Sequence, residues 1–484
     1  MPRRARSIVL AVALAAAALV PAARADDAAV VSALNEPMRV VPEDIKSWRV
    51  LAEAAAAMTE PPAAVDALAV WPGMDGWEGV KAWAAANPGM AEAIMTAQKR
   101  RIFGLPYGAQ SVPAGLADKG FFVGIGDGLR VIDSDPRYLK VLDVVLAYVS
   151  AEMYRLGEAK EFDRAFDLGI GMLRVLRHVA DQHLLAEKTW AMSRMCDLCS
   201  IQRDVAQTYL DAVPAATFRR MAISGFAAVN PADAERLRRL DMPEGDRVLA
   251  EAMIFKLFDA RGQPDPAKFA ETMGQLQARD EPLASFGAAR RWSELARIHG
   301  SLDLTLKSLT NIYDDWWRRW RMGYYEPKLG DPTVISRTNK ARYAMVLLMV
   351  KDIERAFALR QRLNAELNGS VLAFGLAAYY RETGSWPREL KVTYNVGRFD
   401  RDPWNPKWGE GTGALSRWEY QLLSTPRPIE YEAGRVQLSG GVIYSLGQDK
   451  SDGRAERASD DGKLGDLVVW PALRALARSQ GIVK

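Results

Sequence analysis

Apolar and polar residues follow two different periods along this chain. Between about residue 28 and residue 325, apolar residues recur every three or four positions, which is the spacing of amphipathic helices. Beyond about residue 418, short runs alternate between apolar and polar residues and are separated by glycine-rich turns, which is typical of strands. The pattern therefore predicts the fold class α+β, with an irregular all-α region followed by a small antiparallel sheet.

The clearest helical pair lies in the second hundred residues. Residues 138–157 carry a helical repeat that stops at Gly157, and residues 162–195 carry a second repeat after a short polar turn. Two amphipathic helices joined by such a turn form an αα-hairpin. The later helical segments only weakly resemble tetratricopeptide-like pairs, because no period of about 34 residues aligns them. We therefore expect irregular helical pairs rather than a repeat array.

A long helix is expected to connect the two regions. Its apolar pattern runs over about 333–383, after a segment at 325–331 that is rich in turn-forming residues and is expected to be a linker. Asn368-Gly369-Ser370 predicts a break within it, and Gly384 predicts its end. The sequence thus favours a helical domain over 26–330 and an α+β domain over 331–484, with the sheet and an acidic loop at about 390–470.

The first 25 residues have the composition of a secretory signal. Arg3, Arg4 and Arg6 precede an apolar, alanine-rich run over 7–20, and Ala23-Arg24-Ala25 suits a cleavage site. The run is shorter than the roughly 20 residues that span a bilayer, so we expect cleavage rather than anchoring. No later stretch reaches spanning length. We therefore expect a secreted or periplasmic protein without a transmembrane segment once the signal is removed.

Charge narrows the class of partner. The 484-residue chain has 64 basic and 60 acidic residues, and the signal contains four arginines and no acid. The mature chain is therefore formally neutral, which argues against a nucleic-acid partner. Protein partners in the periplasm or at the cell envelope fit this balance better.

Three segments of the tail occur in an order known from one family. They are AAYYRETGSWPREL (377–390), RDPWNP (401–406) and VIYSLGQDKSDGRAERASDDGKLGDLVVW (442–470). In order and spacing they resemble the C-terminal globular part of the major pseudopilin of type II secretion systems. The resemblance covers about 100 of the 484 residues. It implies a helix packed on a small antiparallel sheet, and often a calcium ion in an acidic loop. Because no prepilin leader is present, we do not expect the chain to polymerise into a pseudopilus.

The acidic loop supplies the candidate metal ligands. Calcium takes six to eight oxygen ligands, which several carboxylates and turn carbonyls provide. The loop also contains four basic residues, so the alternative is a solvated loop closed by its own ion pairs. The candidate calcium ligands are Asp449, Asp452, Asp460, Asp461 and Asp466, and the competing cations are Lys450, Arg454, Arg457 and Lys463.

Cys196 and Cys199 are the two cysteines of the chain. Together with His178 and His183 they have the ligand types of a zinc site. On one continuous helix, however, the two histidines would diverge by about 140° around its axis. Redox catalysis would need the first cysteine at a helix start, where its thiolate is stabilised. We expect buried thiols or a local disulfide instead.

No motif of a known catalytic centre stands out, so no catalytic residue and no cofactor other than calcium is assigned. The tryptophan-rich segment at 316–320 is expected to pack at the junction between the domains. The sequence favours a non-catalytic binding or scaffold protein with a pseudopilin-like C-terminal domain. The alternative is a hydrolase of envelope polymers in which the tail is an accessory module.

Overall fold

The computed structural model describes residues 26–62, 65–226, 240–280, 287–322, 326–393, 402–405 and 417–483. Helices dominate up to residue 383 and the main sheet lies beyond residue 418, which confirms the predicted α+β class. The predicted signal at residues 1–25 lies outside the described residues. The described α-helices are α1 (Asp27–Arg39), α2 (Trp48–Ala57), α3 (Trp77–Ala86), α4 (Pro88–Ala97), α5 (Ala114–Ala117), α6 (Tyr138–Glu158), α7 (Phe162–Val179), α8 (Leu185–Thr208), α9 (Ala215–Arg220), α10 (Gly245–Leu257), α11 (Pro266–Lys268), α12 (Gly274–Asp280), α13 (Ala288–Ile298), α14 (Leu302–Arg321), α15 (Val334–Arg337), α16 (Ala344–Met349), α17 (Ile353–Thr383) and α18 (Leu473–Ser479).

The strands fall into two sheets. The described strands are β1 (Gly124–Ile125), β2 (Ser134–Asp135), β3 (Glu419–Tyr431), β4 (Gly434–Ser445), β5 (Arg457–Ala458) and β6 (Leu467–Trp470). β1 and β2 form a small antiparallel pair, and the main sheet has the order β5-β3-β4-β6.

The predicted αα-hairpin is confirmed, and a third helix joins it. Helices α6 and α7 pack on each other, and α8 packs on both. The sequence did not separate α7 from α8, because their apolar spacing continues across the junction. The structure places a turn at 180–184, where Gln182 Nε2 donates to the carbonyl of Leu105 at 3.0 Å. This contact with an earlier segment of the chain holds the turn, and no local pattern signals it.

The long helix differs from its prediction at two points. It begins at Ile353 rather than near residue 333, because Asp352 caps it by accepting from the amide of Arg355 at 2.8 Å. It also continues without a break through Asn368-Gly369-Ser370. The glycine serves close packing there, since its backbone faces Trp418 and Val469 of the tail. The predicted end at Gly384 is confirmed, because that residue takes the left-handed conformation.

Helix α17 is covered on several sides along its second half. It packs against α8 and α9 and also against β4 and β6. From Ala365 to Ala378 every residue is buried. The helix therefore joins the helical region to the sheet through shared hydrophobic contacts.

The two faces of the main sheet contribute to two different cores. Ile443, Leu467 and Val469 face α17 and belong to the large core that extends through the helices. Val442 and Val468 belong to a second core that includes residues of α18. The alternation along β4 and β6 assigns neighbouring residues to opposite faces, as strand geometry requires. A helix therefore covers each face of this sheet.

Candidate functional site

A charge network, buried except at its outer carboxylate, joins the last helix to the helical region. Nη2 of Arg474 on α18 donates to Oδ2 of Asp460 in the acidic loop at 2.8 Å. Nη1 of the same guanidinium lies 3.6 Å from Oδ2 of Asp204 on α8, and Nη1 of Arg478 lies 3.7 Å from that oxygen. Burial raises the pKa of Asp204, while the two arginines act in the opposite direction. We call Asp204, Asp460, Arg474 and Arg478 the junction network.

Arg478 extends the junction network to an early part of the chain. Its Nη2 donates to the carbonyl of Leu68 at 2.8 Å, and its Nη1 donates to the hydroxyl of Tyr154 at 3.3 Å. Its guanidinium carbon also lies 5.2 Å from the centre of a ring of Trp71. Residues more than 400 positions apart thus meet at one side chain, and the final helix is held against the helical region.

The structure divides the five predicted calcium ligands into two groups. Asp460 and Asp461 each have a cationic partner, because Asp460 binds Arg474 and Oδ2 of Asp461 lies 2.6 Å from Nζ of Lys463. Although partial burial opposes the change, Lys463 lowers the pKa of Asp461. Asp460 also accepts a hydrogen bond from the hydroxyl of Tyr431 at 2.8 Å. The pair of Asp461 with Lys463 matches the alternative of a loop closed by its own cations, whereas the partner of Asp460 comes from α18, outside the loop.

The other three acids, Asp449, Asp452 and Asp466, lie near one another in the same loop. Oδ2 of Asp466 accepts from the amide of Ala455 at 2.6 Å. Burial raises the pKa of Asp466 to about 6, and the nearby negative charges of Asp452 and Asp449 add to this rise. Oδ1 of Asp452 accepts from the hydroxyl of Tyr444 at 3.1 Å. In the described parts of the chain, no three acidic, histidine or cysteine side chains are arranged to hold a metal. Calcium binding by this loop stays a prediction.

The turn that contains Asp402 has a structural role. Oδ1 of this buried carboxylate accepts from the amide of Trp404 at 2.9 Å and from the hydroxyl of Ser445 at 2.7 Å. Oδ2 accepts from the amide of Leu446 at 3.2 Å. Burial raises the pKa of Asp402 to about 6, against these three hydrogen bonds. The turn therefore fixes the end of β4.

The cysteines are buried free thiols on α8, which is one of the two readings that the sequence left open. Burial raises the pKa of both, that of Cys199 to about 12, so thiolate chemistry is disfavoured. His178 lies in the last turn of α7, whereas His183 lies in the turn before α8. The expectation of one continuous helix through these four residues was therefore wrong. They nevertheless form no metal-binding group among the described residues.

Two of the predicted junction tryptophans pack against the long helix. The rings of Trp316 and Trp320 lie 6.2 and 6.0 Å from the ring of Phe357 on α17. Trp317 is more exposed, and Arg321 lies over its ring. The segment thus anchors α14 to α17, as the sequence predicted.

A second polar cluster that the sequence analysis missed lies at the start of α8. The carboxylate of Glu187 is fully buried and accepts from the hydroxyls of Tyr107 and Tyr138, each at 2.7 Å. Burial raises the pKa of Glu187 to about 7, although both hydrogen bonds oppose the rise. The amide of His183 donates to the hydroxyl of Tyr107 at 2.8 Å. The sequence signal is weak, because a single glutamate on an amphipathic helix is usually solvated.

Comparison of the chain with family models, curated proteins and solved structures found no match. Across the described residues, no helix has both the length and the apolar character needed to cross a membrane. The resemblance to the major pseudopilin therefore rests on the tail motifs alone.

Proposed function

We propose that this is an exported, non-catalytic binding or scaffold protein of the periplasm or cell envelope. In this proposal a pseudopilin-like tail and a helical region form one binding unit. The junction network carries the proposal. Arg474 joins Asp460 of the tail to Asp204 of α8, and Arg478 joins the same α8 carboxylate to the segment around Leu68.

The physical argument concerns relative orientation. A charge that is buried without a partner destabilises the protein, so these groups favour the arrangement that pairs them. With α17 shared by the two regions, the tail is held in one position on the helices. A partner can then contact both regions at once, and no loss of inter-domain freedom opposes that binding. This supports a scaffold role and leaves the identity of the partner to experiment.

Calcium is a separate part of the proposal. Asp460 and Asp461 already have cationic partners, so we assign the predicted ion to the group of Asp449, Asp452 and Asp466. These carboxylates would have to turn toward a shared point to coordinate it. A divalent cation there would offset their mutual repulsion.

The test of the scaffold role is crosslinked affinity capture from the envelope fraction with the mature chain as bait. We expect one or more envelope proteins to be enriched over a mock bait. Arg474→Gln should reduce that enrichment, because it removes the ion pairs that Arg474 makes with Asp204 of α8 and Asp460 of the tail. The matched control is Arg457→Gln, which makes the same change of charge at an exposed position of β5.

Two results would contradict the proposal. One is equal enrichment by the mature chain and the mock bait. The other is hydrolysis of a purified envelope polymer by the mature chain, which would favour the enzyme alternative. If Arg457→Gln and Arg474→Gln reduce capture equally, the junction network does not carry the binding role.

A further inference from the structure

A charged cleft of about 500 Å³ opens between the end of α14 and the segment that leads into α15. Its volume falls in the range of small-molecule sites, roughly 300–1,000 Å³. The cleft is separate from the junction network and from the acidic loop. The charged residues that line it are Asp315, Arg318, Arg319, Lys328, Asp331 and Arg337.

One wall of the cleft is built by a buried ion pair. Nε of Arg319 donates to Oδ2 of Asp315 at 3.1 Å, and the same carboxylate oxygen accepts from the amide of Val334 at 3.0 Å. The remaining nitrogens of Arg319 donate to carbonyls of Leu329 and Asp331, at 3.2 and 2.9 Å. Because the guanidinium of Arg319 is hydrogen-bonded within the protein, it shapes the wall of the cleft. Contacts with a ligand would come from the other cations that line the cleft.

The other three cations of the cleft are accessible. The side chain of Arg318 is 68% exposed and approaches Asp315 only to 3.9 Å. Lys328 and Arg337 are exposed and form no ion pair with another described residue. Four cations and two carboxylates line the cleft, which leaves a formal charge of +2. Since Arg319 and Asp315 neutralise each other, this excess belongs to the accessible groups.

We propose that this cleft binds a small dianion, either a phosphate monoester or a dicarboxylate. Both ligand types place two negative charges within the reach of neighbouring guanidinium groups, and the planar fork of arginine matches their oxygens. The ordered wall around Arg319 holds the cleft open without a ligand, which reduces the entropy that binding would cost. The site is independent of the proposed scaffold role, so either can fail alone.

The experiment is calorimetric titration of the mature chain at low salt with two probes, inorganic phosphate and malonate. We expect saturable binding of at least one probe, and the stronger probe identifies the ligand type. Affinity should fall as sodium chloride is added, because exposed charges are screened. Vesicles that contain phosphatidylglycerol form a third arm. Binding to vesicles without binding to either free probe would overturn the proposal.

Variants locate the site. Arg337→Gln should weaken binding at least about fivefold, which corresponds to the loss of roughly 1 kcal/mol. Asp331→Asn should tighten binding, because it removes a negative charge from the lining and keeps the carbonyl that Arg319 binds. Arg49→Gln is the matched control, since Arg49 is an exposed residue of α2 paired with Glu53.

The result that supports the proposal is weaker binding in Arg337→Gln with unchanged binding in Arg49→Gln and unchanged melting temperatures in both. Equal weakening by the two substitutions would show an effect of overall charge, and it would overturn the assignment to this cleft. Absence of saturable binding by either probe would overturn it as well.

Discussion

Gly369 of α17 lies directly against Val469 of β6. A Cβ atom on the glycine would be 2.6 Å from Cγ1 of the valine and 2.9 Å from the ring of Trp418. The helix can therefore approach the sheet closely only because this residue has no side chain. Both residues belong to the predicted α+β domain, and their contact packs its long helix on its sheet at the edge of the large hydrophobic core.

We expect Gly369→Ala to destabilise the protein by about 1 to 3 kcal/mol, because the overpacking outweighs the better helix propensity of alanine. Gly89→Ala is the matched control. Gly89 is also helical, but a Cβ there would contact nothing within 4 Å, so alanine should stabilise by up to about 1 kcal/mol. Urea unfolding measures both changes. In a Val469→Ala background the cost of Gly369→Ala should shrink, and an unchanged cost would contradict the packing argument.

The second prediction concerns the buried pair between α8 and α17. Nη2 of Arg203 donates to Oε2 of Glu366 at 2.6 Å, and Nη1 donates to the hydroxyl of Ser370 at 2.7 Å. The side chains of Arg203 and Glu366 are both at most 4% exposed. Arg203→Met should cost about 3 to 5 kcal/mol of unfolding free energy, because it leaves a buried carboxylate without its main partner. The double variant Arg203→Met with Glu366→Leu should be more stable than Arg203→Met alone. A double variant that unfolds more easily than the single one would contradict this account.

The third prediction follows from the raised pKa of Glu187. Its pKa is about 7 in the folded protein and 4.5 for the unperturbed group, so the folded state binds the proton more tightly than the unfolded state. The stabilisation by this group is complete below pH 4.5 and is lost as pH rises through about 7. Relative to Glu187→Gln, the wild-type protein should therefore lose roughly 2 to 3 kcal/mol of stability between about pH 5 and pH 8.

The comparison with Glu187→Gln is needed because another group titrates nearby. Burial lowers the pKa of His183 to about 4, which gives the opposite slope between pH 4 and 6.5. That contribution is present in both proteins and cancels in the difference. Urea unfolding at several pH values gives the two curves. Parallel curves for the wild type and Glu187→Gln would show that the carboxylate does not titrate as described.

The fourth prediction tests calcium binding by the tail. If calcium binds only the folded state, it stabilises that state by about 2.7 kcal/mol at 100 times its dissociation constant. We expect a higher melting temperature in calcium than in chelator. Asp452→Asn should abolish the difference, whereas Asp461→Asn should preserve it because Asp461 is paired with Lys463. Equal melting temperatures in calcium and chelator would reject the metal and leave a resemblance of motifs alone.

The sequence by itself determined the secondary structure of the strongly periodic segments. The spacing in residues 138–157 predicted α6 to within one residue of its end at Glu158. The alternation and glycine-rich turns of the tail predicted strands beyond about residue 418, where β3, β4 and β6 lie, but they did not predict that β3 and β4 pair as one hairpin. These features depend on local spacing and turn chemistry, which a single stretch of residues contains.

Only the tertiary structure decided which partners the polar residues take. Asp460 and Asp466 looked equivalent in the sequence, yet one binds Arg474 and the other accepts backbone hydrogen bonds from its own loop. Glu187 is buried because Tyr107 and Tyr138 reach it from distant segments. Such contacts join residues far apart in the chain, so periodicity cannot encode them. They form when packing excludes water and each buried polar group requires a partner.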